Sequence, residues 1–224
     1  MPNKLMMVFV GTDIIFAGCG GLLIGFSLLS ETQMRATPTI TTVAEHLLLK
    51  QCPLTAGVVN AIFIFLTFML SLPALFLPQN RGWLRAQGWL VVFCATFTLV
   101  LGLTVWFVTL HSRANLNRIW AHEQPLTQSL LQQKFNCCGY NNSTSPPFIQ
   151  DGTCTNSLVA AQKGGCISKF SSFANGYLDL IFTAAFGIVG IDVVLVLCVA
   201  MVLKYRQELE RYKHIDEKNG LGGL

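Results

Sequence analysis

Two long stretches without a charged side chain constrain this chain more than any other feature. Residues 51–80 and 86–112 contain no Asp, Glu, Lys or Arg. Each is longer than the ~20 residues that a helix needs to cross the hydrocarbon core of a bilayer. Residues 6–29 and 180–203 are equally apolar except for one aspartate each. The pattern predicts an all-α membrane protein with four transmembrane helices.

Composition supports the membrane class. Charged residues make up 12% of the 224 residues and hydrophobic ones 52%, whereas soluble domains usually carry ~25% charged residues. So little charge could not cover the surface of a soluble fold of this length.

The distribution of Lys and Arg predicts the orientation. These residues are concentrated near the chain ends and between the second and third spans, and such segments face the cytosol under the positive-inside rule. The predicted order is a cytosolic N-tail (1–5), helix 1 (6–29), a small extracellular loop (30–51), helix 2 (52–77), a cytosolic turn (78–86), helix 3 (87–110), a large extracellular loop (111–177), helix 4 (178–203) and a cytosolic C-tail (204–224).

Four of the eight cysteines fall in the large loop: Cys137, Cys138, Cys154 and Cys166. An even number of cysteines in an oxidising compartment predicts two disulfides. Neighbouring Cys137 and Cys138 could bridge each other only with severe strain, so a nested and a crossed pairing both remain. A structural zinc site is less favoured because adjacent cysteines lack the usual C-x₂₋₄-C spacing.

The cysteines also carry a family resemblance. The triplet Cys137-Cys138-Gly139, in a long loop between a third and a fourth span and followed by Cys154 and Cys166, resembles the signature of the tetraspanins. The resemblance covers the whole chain. It implies the nested pairing, Cys137–Cys166 with Cys138–Cys154, and a mostly helical large loop.

The first and last spans resemble the same family. Asp13 precedes Gly20, Gly21 and Gly25, and Asp192 lies where many members have an acidic residue. Intramembrane carboxylates usually mark functional sites, and the resemblance implies a bound sterol at these positions. We expect both aspartates to bind a sterol hydroxyl beside the small glycines, or, alternatively, each aspartate to hydrogen-bond a neighbouring helix.

Small residues also let helices approach closely. The GxxxG of Gly21 and Gly25 therefore predicts packing against the second span, with a homo-oligomer face as the alternative.

Val100 stands where animal members often have Glu or Gln. The compact loop and short tail look most like the fungal tetraspanins required for host penetration. The resemblance implies a non-catalytic scaffold that clusters other integral membrane proteins in the plasma membrane, or in vacuolar or endosomal membranes. It further implies a role in polarised growth or host penetration, alongside an NADPH oxidase complex. Membrane lipids are expected partners and nucleic acid is not.

Two modification sites are predicted. Asn141-Asn-Ser and Asn142-Ser-Thr are overlapping glycosylation sequons in the large loop, which would make the protein a glycoprotein. Cys198 lies six residues before Lys204 and is a candidate for palmitoylation, with an inert thiol as the alternative. No modification is predicted for Cys19, Cys52 or Cys94.

Helical spacing inside the large loop predicts three helices. Leu116, Ile119 and Trp120 continue the third span, Pro125 begins a second helix, and the residues after Cys166 lead into the fourth span. The first and last of these helices are expected to pack together. Residues 139–165 are predicted as loops because they are rich in Asn, Ser, Thr, Pro and Gly.

No enzyme is expected, because no catalytic motif is found and the histidines lie far apart in the sequence. The alternative function is a small transporter or channel subunit that uses Asp13 and Asp192 as ion ligands. Transporters usually show internal repeats or broken helices, and neither is evident in the sequence.

Overall fold

A computed structural model describes residues 2–76 and 81–218. Within these residues the chain is all-helical, with one isolated β-bridge between Thr144 and Pro147. The helices are α1 (Pro2–Arg35), α2 (Val43–Leu49), α3 (Leu54–Phe76), α4 (Arg81–Leu110), α5 (Ser112–His122), α6 (Pro125–Phe135), α7 (Ser157–Lys163) and α8 (Ile167–Lys218).

Four of these helices are long and apolar enough to cross a membrane. The candidate spans are Lys4–Arg35, Leu54–Pro73, Gly82–Leu110 and Ile167–Lys218, so the prediction of four helices able to cross a membrane is confirmed. Two helices run well past the predicted spans: α1 begins before residue 6 and ends after residue 29, and α8 has 52 residues.

The region predicted as a turn, residues 78–86, is partly helical. Helix α4 begins at Arg81, and Leu84 and Gln87 are fully buried on one of its faces. Burial of this face extends the helix beyond the apolar run that the sequence marks. The predicted tail and turn residues at 1, 78–80 and 219–224 lie outside the described residues.

The chain divides into two compact units. We call the first, Met1–Gly25 with Thr55–Val100 and Ala185–Leu224, the span unit. We call the second, Phe26–Leu54 with Leu101–Ala184, the cysteine unit.

The span unit is apolar both inside and outside. Its core includes Phe9, Phe16, Ile64, Leu84, Val91 and Leu195. Its surface exposes Met7, Leu22 and Trp89, each more than 70% accessible. Large apolar side chains on the outside as well as the inside are typical of helices in lipid rather than in water.

The cysteine unit has its own core. Helices α2, α5, α6 and α8 contribute Val43, Ala44, Leu47, Leu48, Leu116, Trp120, Leu131, Phe170, Ala174 and Leu178. The helix after Leu110 and the helix after Cys166, which were expected to pack together, both contribute to this core. Helix α2 lies in the small loop, where no helix was predicted, although its buried side chains recur at i, i+1, i+4 and i+5.

Single residues set the ends of two helices in this unit. Pro125 occupies the first turn of α6, and Asn136 ends that helix in the left-handed conformation with φ 47°. Helix α7 falls in residues 139–165, which were predicted as loops only. It forms because the Asn156 side chain accepts a hydrogen bond from the Val159 N–H at 2.8 Å and because Ala160 is buried with Cys138 and Cys154.

Candidate functional site

Two disulfides hold residues 137–166 together. Cys137 pairs with Cys166 and Cys138 with Cys154, which is the nested one of the two arrangements that the residues left open. All four half-cystines are fully buried. The bridges join cysteines 29 and 16 positions apart, and loops of this length are stabilised by ~3–4 kcal/mol each in the chain-entropy picture.

Glycine is required at two positions beside the disulfides. Gly139 has φ +73°, and a Cβ there would lie 2.2 Å from the carbonyl oxygen of Asn142. A Cβ at Gly165 would lie equally close to the carbonyl oxygen of Asn141. Close approach of the backbone at both glycines accompanies two hydrogen bonds across the loop. Cys166 N–H donates to the Gly139 carbonyl at 3.0 Å, and Cys138 N–H donates to the Gly164 carbonyl at 2.9 Å. Sequence reasoning identified Gly139 through the triplet but missed Gly165.

Gln132 of α6 organises the loop around the disulfides. Its side chain is fully buried. Its amide nitrogen donates to the Ile149 carbonyl at 2.8 Å, and its amide oxygen accepts from the N–H groups of Gly139 and Ile149 at 3.2 and 3.1 Å. One buried amide thus fixes two separate parts of the loop to one helix. A lone Gln in an amphipathic helix gave no sequence signal for this role.

Asp151 makes the second polar anchor. Its carboxylate accepts hydrogen bonds from the Ser129 hydroxyl, the Gln132 amide and the N–H groups of Thr153 and Cys154, at 2.7–3.0 Å. Partial burial raises the pKa of Asp151, but these hydrogen bonds outweigh that effect, so its pKa lies below its ordinary value. The carboxylate is therefore held in its charged form.

An aromatic contact adds to these two polar anchors. The rings of Trp120 and Tyr140 lie 5.6 Å apart, and both side chains are buried. The Tyr140 carbonyl also accepts from the Ile167 N–H at 3.0 Å. Tyr140 follows the Cys-Cys-Gly triplet directly and was not singled out from the sequence.

The surface of the cysteine unit carries the two predicted glycosylation asparagines and two exposed leucines. Asn141 and Asn142 are both exposed, and the Asn142 side-chain oxygen accepts from the N–H groups of Thr144 and Ser145. Leu126 and Leu158 are 67% and 75% exposed.

Asp13 is fully partnered inside the span unit. It is 2% exposed, and its two oxygens accept hydrogen bonds from the Ser71 hydroxyl on α3 and from the Gln87 amide on α4, the latter at 3.2 Å. Asp13 thus hydrogen-bonds two neighbouring helices, which was the alternative to sterol binding that the sequence left open.

Asp192 differs sharply from Asp13. It is fully buried, and neither of its oxygens has a hydrogen-bond partner within the described residues. The oxygen of the buried Asn60 side chain also lacks a donor, while its nitrogen donates to Thr98 at 2.7 Å.

The three glycines of α1 fall in different surroundings. A Cβ at Gly20 would lie 2.8 Å from Ile64 of α3, so this glycine allows close helix packing against the second span. Gly21 and Gly25 face open space, with no atom within 4 Å of an added Cβ. The predicted contact with the second span is thus made by Gly20 rather than by the GxxxG pair.

The free cysteines of the span unit are enclosed. Cys19, Cys94 and Cys198 are all buried, and the Cys198 sulfur lies 4.0 Å from the Thr12 hydroxyl on α1. Acylation of Cys198 would require this side chain to leave the packed core, so the arrangement favours the inert thiol.

The comparisons with known proteins add no relative. No family model, no curated protein and no solved structure matches this chain. Among the residues described, no group of three His, Cys, Asp or Glu side chains could hold a metal ion.

Proposed function

We propose that this protein is a tetraspanin-like organiser that gathers other integral membrane proteins and performs no catalysis. The observation that carries the proposal is the cysteine unit. Two disulfides and the buried Gln132 fix residues 137–166, while Leu126 and Leu158 remain exposed on the same unit. A rigid unit that presents apolar side chains binds partners at a low entropic cost.

The proposal places the cysteine unit on the extracellular side and both termini in the cytosol. Its support is the concentration of Lys and Arg near the chain ends and the disulfides, which persist in oxidising compartments. In this orientation the exposed leucines would meet the outer domains of neighbouring membrane proteins. Only the tetraspanin resemblance supports location in the plasma membrane, a role in polarised growth and an NADPH oxidase complex as partner.

Quantitative crosslinking in the native membrane tests this function. The tagged wild type should recover a defined set of membrane proteins, and a Leu126→Ser/Leu158→Ser variant should recover the same set at severalfold lower yield. Ile40→Ser is the matched control, because Ile40 is 46% exposed on the same unit but belongs to the small loop rather than the large one. Equal recovery by all three proteins would argue against the proposed binding surface.

A second candidate function rests on Asp192. A fully buried carboxylate without a donor is unusual, because burying an unpaired charge is costly. This favours either a small transporter or channel subunit, or a bound lipid with a hydroxyl group such as a sterol. Since Asp13 already has two donors, Asp192 is the acid with capacity for such a ligand.

Flux into liposomes separates the transporter from the organiser. A transporter would carry a measurable cation or proton flux that Asp192→Asn abolishes and that the Leu126→Ser/Leu158→Ser variant retains. An organiser would give no flux above that of protein-free liposomes.

A further inference from the structure

A shallow groove lies on the cysteine unit between α2 and α5. Its volume is about 280 Å³. Leu47, which is 1% exposed, and the half-buried Ile119 form its apolar floor. Lys50, Arg118, His122 and Glu123 stand along the groove. The groove therefore combines a hydrocarbon surface with cationic side chains.

The charges along the groove are unequally satisfied. The Lys50 ammonium donates to the Glu123 carboxylate at 3.1 Å, and that carboxylate is only 18% exposed. Arg118 and His122 are exposed and make no hydrogen bond or ion pair among the described residues. They are four residues apart on α5, so they share one helix face. The groove thus presents an unpaired guanidinium and imidazole, with its one carboxylate already paired.

This chemistry fits a phosphate group attached to a small apolar body. A guanidinium presents parallel N–H donors that match two oxygens of a phosphate, and an imidazole can add a further donor. The apolar floor would contact carbon atoms next to the phosphate. At about 280 Å³ the groove is below the ~300–1,000 Å³ of drug-sized sites, so it fits a headgroup rather than a whole lipid.

The position of Lys50 in the chain points to a membrane lipid as the source. Lys50 comes four residues before Leu54, where a candidate span begins. Even a fully extended chain would separate the two by at most ~14 Å. The polar headgroup layer adds ~5–8 Å outside each face of the hydrocarbon core, and long basic side chains extend toward it. The groove is therefore within reach of lipid phosphates.

We propose that this groove binds the phosphate of a membrane phospholipid, with Arg118 and His122 as the phosphate donors. The inference does not depend on the proposed organiser function, because neither Leu126 nor Leu158 lines the groove.

Native mass spectrometry of the full-length protein in neutral detergent tests the site. The probe is dihexanoyl phosphatidylglycerol, titrated against wild type and an Arg118→Gln/His122→Gln variant. Loss of two charge-assisted donors should weaken binding at least about tenfold. Arg118→Lys, which keeps the charge but not the paired donors, should give an intermediate affinity.

Arg35→Gln is the matched control. Arg35 belongs to the same unit, and its side chain is 79% exposed and pairs with Glu31, so its removal changes the net charge without touching the groove. If Arg118→Gln/His122→Gln binds the probe as tightly as Arg35→Gln, the proposal is wrong. If glycerol 3-phosphate alone competes fully at equal concentration, the lipid source is wrong, because the floor would then contribute nothing.

Discussion

Gly139 and Gly165 illustrate how single residues decide the shape of the disulfide-tied loop. Both bring the backbone so close to the carbonyls of Asn142 and Asn141 that a Cβ would lie 2.2 Å from an oxygen. Only Gly139 also has a positive φ among these two, a region that costs other residues roughly 1–2 kcal/mol. The loop therefore depends on two glycines for two related reasons.

Gly139→Ala should prevent the loop from closing normally. The added methyl meets backbone, which cannot rotate away, so the segment must shift and the disulfides must form across a displaced loop. We expect a lower yield of the nested disulfide pair and faster proteolysis within residues 137–166. Non-reducing peptide mapping and timed proteolysis measure both effects.

Gly152→Ala serves as the control for Gly139→Ala. Nothing lies within 4 Å of a Cβ at Gly152, so this variant should match the wild type. If both variants behave like the wild type, the close contact at Gly139 is not required.

The two intramembrane aspartates predict different mutational effects. Asp192 makes no hydrogen bond among the described residues, so Asp192→Asn loses none and should leave the melting temperature nearly unchanged. Asp13→Asn replaces one of two acceptor oxygens with a donor, so the bond from Ser71 or Gln87 must be reversed or lost, at a cost of up to about 1–3 kcal/mol. Thermal unfolding in sterol-free detergent, followed through exposure of the buried thiols, measures the difference.

Added ergosterol extends this comparison to the sterol hypothesis. A sterol hydroxyl bound at Asp192 should raise the melting temperature of the wild type and of Asp13→Asn but not that of Asp192→Leu, which cannot hydrogen-bond a hydroxyl. An equal rise in all three would contradict binding at Asp192. If Asp192→Asn is destabilised as much as Asp13→Asn without sterol, Asp192 has a donor in the protein itself.

At the scale of elements, α6 acts as the base on which the loop is fixed. Its Gln132 holds Gly139 and Ile149, and both Gln132 and Ser129 donate to Asp151. Lys134, on the same helix, donates to the Thr41 carbonyl and lies 4.6 Å from the centre of the Phe173 ring. Burial lowers the pKa of Lys134, which the charge of Glu45 partly opposes. Helix α6 thus links the disulfide loop to the small loop.

Asp151 makes the attachment of its loop to α6 sensitive to acid. Because the folded-state pKa is below the ordinary value, the carboxylate contributes stability above the ordinary pKa of ~3.9, and that contribution is lost as the pH falls through the folded-state pKa. We expect the backbone amides of Thr153 and Cys154 to lose protection from hydrogen exchange as the pH falls below about 4, after correction for intrinsic rates.

Asp151→Asn is the control for the acid effect. The amide keeps the shape but cannot titrate, so protection should be weaker at pH 5 and should show no step on acidification. A step of the same size in this variant would assign the acid sensitivity to another group.

At the scale of the whole molecule, glycosylation reports on the proposed orientation. Asn141 and Asn142 are exposed on the cysteine unit, so a chain made in a eukaryotic secretory pathway with that unit in the lumen should carry a glycan. Glycosidase should increase the gel mobility of the wild type and leave Asn141→Gln/Asn142→Gln unchanged.

Thr144→Ala distinguishes the two sequons, since it removes only the one at Asn142. If Asn142 is the main acceptor, this variant should lose most of the glycan. A wild-type chain without any mobility shift would count against an outward-facing cysteine unit.

The amino-acid pattern was sufficient for the parts of this protein that depend on local composition. Charge-free runs long enough to cross a bilayer predicted the four spans, because lipid excludes charged side chains along the whole length of a helix. Apolar spacing predicted the helices that begin near Ser112 and Pro125, and the Cys-Cys-Gly triplet drew attention to Gly139. The bounds were less accurate at Arg81 and at α2, where burial against distant residues extends or creates a helix.

Only the tertiary structure decided the features that depend on which distant atoms meet. The residues alone left the nested and crossed disulfides open, and the folded chain selects the nested pair. Asp13 and Asp192 look equivalent in sequence, yet one meets Ser71 and Gln87 while the other meets no donor. Gln132, Gly165, Tyr140 and the groove beside Arg118 had no sequence signal, because their roles arise from contacts between segments far apart in the chain.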